Sequence, residues 1–168
     1  MAQSLLGNIK NKHTGLDVAV GDVAAAVKLT KGLATYQDNA NGFKVVPTAA
    51  QPSANEVRFT EVEQDNLTGV KGDKKIETYK TGTIMVVLAG NSIPIRSKLR
   101  ASTAVAGSLD ALADPSNATT GTGAEVDAVR DVKKFHVANY LGHPDEVGAT
   151  GKDVTAATIG QEILIQIL

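Results

Sequence analysis

The chain has 168 residues, 17 basic against 18 acidic, with no cysteine and no tryptophan. Without cysteine there are no disulfides, thiolate metal sites or cysteine nucleophiles, and the balanced charge excludes attraction of nucleic acid or an anionic membrane by bulk electrostatics. Glycine is abundant at 16 and aromatics make up only 4%, a composition suited to short strands, many turns and a core of small branched residues.

This length suits one domain, which at roughly 150 residues buries about 70% of the surface its unfolded chain exposes. No apolar run approaches the ~20 residues of a membrane span, and residues 1–12 lack the apolar core of a secretory signal. Two sequons, at Asn66 and Asn117, are read as chance matches in a chain expected to carry no leader.

Residues 1–17 (MAQSLLGNIKNKHTGLD) are polar apart from Leu5, Leu6 and Ile9. They read as an N-terminal arm, either loosely packed or ordering on a partner by adding a strand to its sheet or by docking its apolar patch. Residues 18–20 begin the β-rich domain, with a turn expected at Gly21-Asp22. Val27, Leu29, Leu33 and Thr35 keep a period of two around a break at Lys31-Gly32, which predicts two strands. The cluster DNANG at 38–42 predicts a hairpin, with a return strand over 43–46 stopped by Pro47. A small-residue loop over 48–55 precedes a half-exposed strand over 56–63, carried by Val57 and Phe59. A glycine-punctuated basic loop over 65–75 leads to a flanking strand at 76–80.

Residues 82–95 (GTIMVVLAGNSIPI) form the most continuously apolar stretch. They predict a central buried strand over 84–89, a turn or bulge at Gly90-Asn91 and a second strand carrying an edge-compatible proline. Ser108 is placed to cap a helical turn over 109–113. The stretch 114–123 (DPSNATTGTG) reads as an exposed loop. Val126, Val129 and Val132 repeat at three, leaving helix and strand both open for 125–134. A strand is expected from Phe135 to Leu141, a turn-rich link over 142–152, and a terminal strand over 161–168 that must pair in the sheet to avoid aggregation. The fold class is therefore all-β: a compact barrel- or sandwich-like domain over 18–168 with long loops and at most one or two short helices. No internal repeat suggests a solenoid or propeller.

Candidate chemistry is sparse. His143-Pro144-Asp145-Glu146 places an imidazole beside two carboxylates, but proline and aspartate at these positions read as a polar turn. His136, between Phe135 and Val137, reads as a solvated strand histidine, and His13 lies in the polar terminus without useful neighbours. Residues 148–152 (GATGK) fail the phosphate-loop pattern, because Glu146 and Asp153 stand where glycine and a hydroxyl are needed. Residues 69–75 read as a solvated turn. No enzyme, cofactor or metal is expected.

The order of segments resembles that of the small β-rich head-decoration, or capsid cement, proteins of tailed phages and related viruses. The likeness rests on the Gly-Asp turn and strand of 21–33, the glycine-led strand of 82–95, the late strand of 135–142 and the alternating terminal strand of 161–168. It covers about residues 18–168; the loops 48–55 and 114–123 depart from it. The resemblance implies a barrel-like domain, commonly a homotrimer, on the outer capsid surface of a virion, made in the host cytoplasm. Its partner would be the major capsid protein, met by the N-terminal arm with Leu5, Leu6 and Ile9 as anchors. Removing residues 1–17 is then expected to abolish shell binding and leave the domain folded. A β-rich ligand-binding or adhesin-like module of a fibre or tail is the alternative; scarce aromatics argue against sugar stacking.

Overall fold

The computed structural model describes residues 3–11, 17–117, 121–144 and 155–168. Within it the chain is all-β, with twelve strands and a single α-helix among the described residues. The first seven strands are β1 (Val18–Asp22), β2 (Val27–Leu29), β3 (Ala34–Asp38), β4 (Gly42–Val45), β5 (Val57–Thr60), β6 (Gln64–Asn66) and β7 (Lys75–Tyr79). The remainder are β8 (Ile84–Leu88), β9 (Lys98–Ala101), β10 (Leu109–Ala111), β11 (Ala138–Gly142) and β12 (Glu162–Ile167), with α1 (Gly123–Phe135) between β10 and β11.

Two five-stranded antiparallel sheets make the body. The first has the order β1-β7-β5-β3-β4, the second β8-β12-β11-β9-β10, and β2 pairs with β6 in a separate ribbon. Counting strands by chain order within its own sheet, each runs first, fifth, fourth, second, third. Each sheet also curls until its edges meet at one parallel bridge just past its first strand, Val23 to Phe43 in one and Ala89 to Leu109 in the other. Ala24 N–H donates to Phe43 O, and Gly90 N–H to Leu109 O. Neither sheet closes into a barrel, so the sandwich form of the expected fold is the one adopted.

Alternation assigns the faces. In the second sheet Met85, Val87, Leu99, Leu109, Ala138, Tyr140, Ile163, Ile165 and Ile167 share one face by register. They join Ala34, Val57, Phe59 and Tyr79 of the first sheet in the main core. The opposite face of the first sheet carries Phe43 and Ile76, which pack with Val23 and Leu29 in a second cluster. The first sheet is thus buried on both faces.

Most predicted strands occur, and the departures have local causes. Gly21 and Asp22 do not turn; β1 runs through them, and glycine is required because a Cβ there would lie 2.6 Å from the Phe43 ring. The hairpin at 38–42 forms, with Asn41 N–H donating to Asp38 O at 2.9 Å and Asp38 Oδ2 receiving Lys44 Nζ at 2.7 Å. After Gly90 there is no second strand, only Ile93 exchanging two hydrogen bonds with Ala157. Pro94 supplies no donor, and Arg96 has φ +60°, so the chain bends away. Ser108 caps no helix: Leu109 is fully buried and pairs with Ala101 in a β9–β10 hairpin. Asp110 Oδ2 accepts from Thr103 N–H inside that connection.

The ambiguity at 125–134 resolves as helix. Thr122 caps it through Glu125 N–H, Glu125 lies in its first turn and Lys133 and Lys134 in its last, each suited to the helix dipole. Val126 and Val129 face outward, Val126 63% exposed, while Val132 is half-buried and Ala128 is buried. What holds α1 is Arg100 of β9, whose guanidinium lies 4.5 Å above the Phe135 ring and 3.8 Å from Asp131 Oδ2, while donating to Gln51 Oε1 at 2.8 Å. Phe135 therefore ends the helix, and β11 starts at Ala138 rather than at 135. The terminal strand pairs on both sides, with β8 and with β11.

Two outcomes are expected. Arg100→Ala should speed amide exchange across α1 about tenfold or more while the β8 and β12 amides keep their protection, as read by NMR. Lys44, then Asn41 and the Ala40 N–H, hold the Asp38 carboxyl down to about 2. Its contribution to the hairpin is therefore complete above the usual carboxylate range near 4 and lost as pH falls through about 2. A carbon-detected titration of Asp38 should show that midpoint, returning toward 4 in Lys44→Met.

Candidate functional site

The surface marked in the sequence by Leu5, Leu6 and Ile9 is built around the N-terminal segment. Residues 7–10 lie antiparallel along the outer edge of β8. Gly7 N–H donates to Val86 O at 2.9 Å, Val86 N–H to Asn8 O at 3.1 Å, and Lys10 N–H to Ile84 O at 2.9 Å. Asn11 extends the ladder with its side chain, accepting from Ile84 N–H at 2.7 Å and donating to Gly82 O at 2.6 Å. Glu162 of β12 receives Leu5 N–H at 3.0 Å and the Ser4 hydroxyl. Gly7 sits at φ +74°, and a Cβ there would lie 2.5 Å from Glu61 O. Only glycine lets the segment pass beneath the loop after β5.

This placement corrects two expectations. Ile9 is 5% exposed and belongs to the main core, so its side chain is spent inside the chain and is no anchor for a partner. Residues 7–11 are therefore part of the folded body, which begins before residue 18. Leu5 and Leu6 are half-buried. Both line a shallow cleft of about 350 Å³ with Lys31, Glu61 and Val62, and Leu6 also lines a neighbouring cleft of about 220 Å³ with Gly32, Glu63 and Leu88. Beside the first cleft the Tyr79 hydroxyl lies 3.0 Å from Glu61 Oε2 and 3.1 Å from Glu77 Oε2. Burial first, then these two carboxylates, pushes its phenol far above the ordinary range.

The other candidates are scattered. His136 follows α1 as its C-cap rather than standing in a strand. It is half-buried, its Nε2 lies 3.0 Å from Asn139 Oδ1, and burial lowers its pKa. His143 sits edge-on to Tyr140 at 6.4 Å; its expected neighbours Asp145 and Glu146 lie outside the described residues, as do His13 and residues 148–152. Among the described residues no three histidine or carboxylate side chains gather where a metal could bind. Asn66 is buried, and its amide nitrogen donates to Val23 O, Ala24 O and Val70 O. It pins the loop after β6 and offers no nitrogen to a glycan.

A third cleft, of about 390 Å³, lies between residues 94–98 and 111–114, with Arg96, Ser97, Lys98 and Asp114 on its wall. No motif marked it in the sequence; its one strained feature, the positive φ of Arg96, has no signature residue.

No family model, curated protein or solved structure matches this chain.

Ile9→Ala should destabilise the protein by about 2–5 kcal/mol, the range for truncating a buried isoleucine, measured by urea unfolding. Leu5→Ala and Leu6→Ala, at half-buried positions, should each cost clearly less. Deleting residues 1–11 should then leave a destabilised, aggregation-prone protein, because it bares the β8 edge and opens the core.

Proposed function

We propose that the chain is a structural, non-catalytic virion protein, made in the host cytoplasm, that binds the outer surface of a capsid shell and stabilises it. The observation that carries this reading is the N-terminal face. Two half-buried leucines border two adjoining shallow clefts, on the segment that the resemblance to cement proteins assigns to the major capsid protein. The segment contributes a surface fixed by hydrogen bonds to β8, so contact with the shell requires little further ordering of the chain. Balanced charge spares neighbouring copies mutual repulsion, and repetition over a shell multiplies contacts that are individually weak. Homo-oligomerisation belongs to the same reading, and no cofactor or nucleic acid enters it.

The cleft walled by Arg96, Lys98 and Asp114 favours a second reading, a β-rich ligand-binding module of a fibre or tail. Clear hits on a glycan array, lost in Arg96→Ala, would support it.

The test is co-sedimentation of the folded protein with purified shells. Saturable binding at a fixed ratio to capsomers is expected. The Leu5→Asp/Leu6→Asp double variant should lose most of its occupancy while keeping its circular dichroism spectrum and a melting temperature within a few degrees. Full occupancy by that variant would remove the N-terminal face from the mechanism, and no binding by the unaltered protein would remove the proposal.

A further inference from the structure

Strand order and the two parallel bridges match Val23 with Ala89, which sets Val18 against Ile84 and Val20 against Val86. The backbone agrees with this alignment. In β8 the amides and carbonyls that face away from β12 belong to Ile84 and Val86, and these are the groups that take up residues 7–11. In β1 the inward pairs include Asp17 with Lys80 and Val23 with Lys74, since Lys80 N–H donates to Asp17 O and Val23 N–H to Lys74 O. Alternation then turns the amides and carbonyls of Val18 and Val20 outward. Among the described residues nothing pairs with them. The chain has two equivalent sheet edges; one is filled by its own N-terminal segment and the other stands open.

The open edge is also apolar. Val18 is 45% and Val20 63% exposed, and both side chains lie on one face, opposite Tyr79 and Glu77 respectively. None of the usual protective devices is present on its outward positions: no lysine, no proline and no bulge. Its flanking charges are paired within the chain, Asp17 Oδ1 with Arg58 at 2.8 Å and Asp22 Oδ1 with Lys75 Nζ at 3.6 Å. Past Val20 the edge ends, since Gly42 packs against Asp22 O and Ala24 N–H is taken by Phe43.

We propose that β1 is a self-association edge, pairing antiparallel with β1 of a second copy about a twofold axis through Ala19. The choice of occupant follows from the register. A twofold centred on Ala19 sets Val18 opposite the second copy's Val20 and Val20 opposite its Val18. Outward groups meet outward groups in two hydrogen-bonded pairs, four valines come together on one face, and no like charges meet. The N-terminal segment of a second copy is the weaker occupant, because each chain has one such segment and its own β8 edge already uses it. The contact is small, which places the dissociation constant on the order of 10–100 μM, typical of a weak, short interface. The pairing requires no shell and stands apart from shell binding.

Sedimentation from about 5 to 500 μM tests it. The expected result is a 17.4 kDa monomer at the low end passing to a dimer at the high end, with the Val18 and Val20 amides exchanging several-fold more slowly at high concentration. Val18→Lys/Val20→Lys, on exposed positions, should stay monomeric throughout with an unchanged circular dichroism spectrum. Val20→Pro, which deletes one outward donor, should weaken the dimer at least tenfold. A monomer at all concentrations, a trimer, association unchanged in the lysine variant, or dimerisation that leaves the Val18 and Val20 amides unslowed would each overturn the proposal.

Discussion

The second sheet depends on β12, the six residues near the end of the chain that pair with β8 on one side and β11 on the other. Ile163, Leu164 and Ile165 are fully buried, so β12 fills both faces of the sheet and takes one edge of each neighbour. Without it β8 would have no inner partner, and the N-terminal segment would have no ladder to join. Glu162, at the start of the same strand, holds Ser4 and Leu5. Residues 4–5 are thus fastened to β12, far away in sequence, and a second sheet that closes on β12 has many non-local contacts to make.

Two sheets with one topology stack in an unequal way. The face of the second sheet that carries Val87, Leu109 and Ile163 corresponds to the face of the first that carries Gly21, Phe43 and Ile76. The second sheet packs that face against the opposite face of the first. The β2–β6 ribbon covers the first sheet's corresponding face instead. Such head-to-tail stacking is heterologous, so each end needs its own cover. The ribbon supplies one; α1, clamped by Arg100, lies against β9 of the second sheet. The same asymmetry leaves the first strand's edge closed in one sheet and open in the other.

Strand positions were largely legible because alternation and turn residues are local signals. The DNANG hairpin, the apolar run before Gly90 and the alternating terminus all read correctly. The sequence did not show the repeated topology, because the aligned positions share burial but little chemistry: Phe43 answers to Leu109, Gly21 to Val87. Ile9 was legible as an apolar residue in a polar segment, and its destination was not. A single isoleucine among polar neighbours looks the same whether it docks on its own sheet or on a partner's. Gly21 misled for a related reason: it marks a close approach by Phe43 rather than a turn. Helix α1 was undecidable from its valines because Val126 and Val129 point outward, and the residues that settle it, Thr122 and Arg100, are a cap and a distant clamp.

The docked N-terminal segment and the open β1 edge rest on one structural claim: two equivalent edges, one filled and, among the described residues, one empty. Amide hydrogen exchange on dilute monomeric protein tests it most directly, by comparing Ile84 and Val86 with Val18 and Val20. Ile84 and Val86, held by Asn11 and Asn8, should exchange about 100-fold or more slowly than Val18 and Val20. Equally fast exchange at all four positions would mean that the N-terminal segment does not occupy β8, and would contradict it.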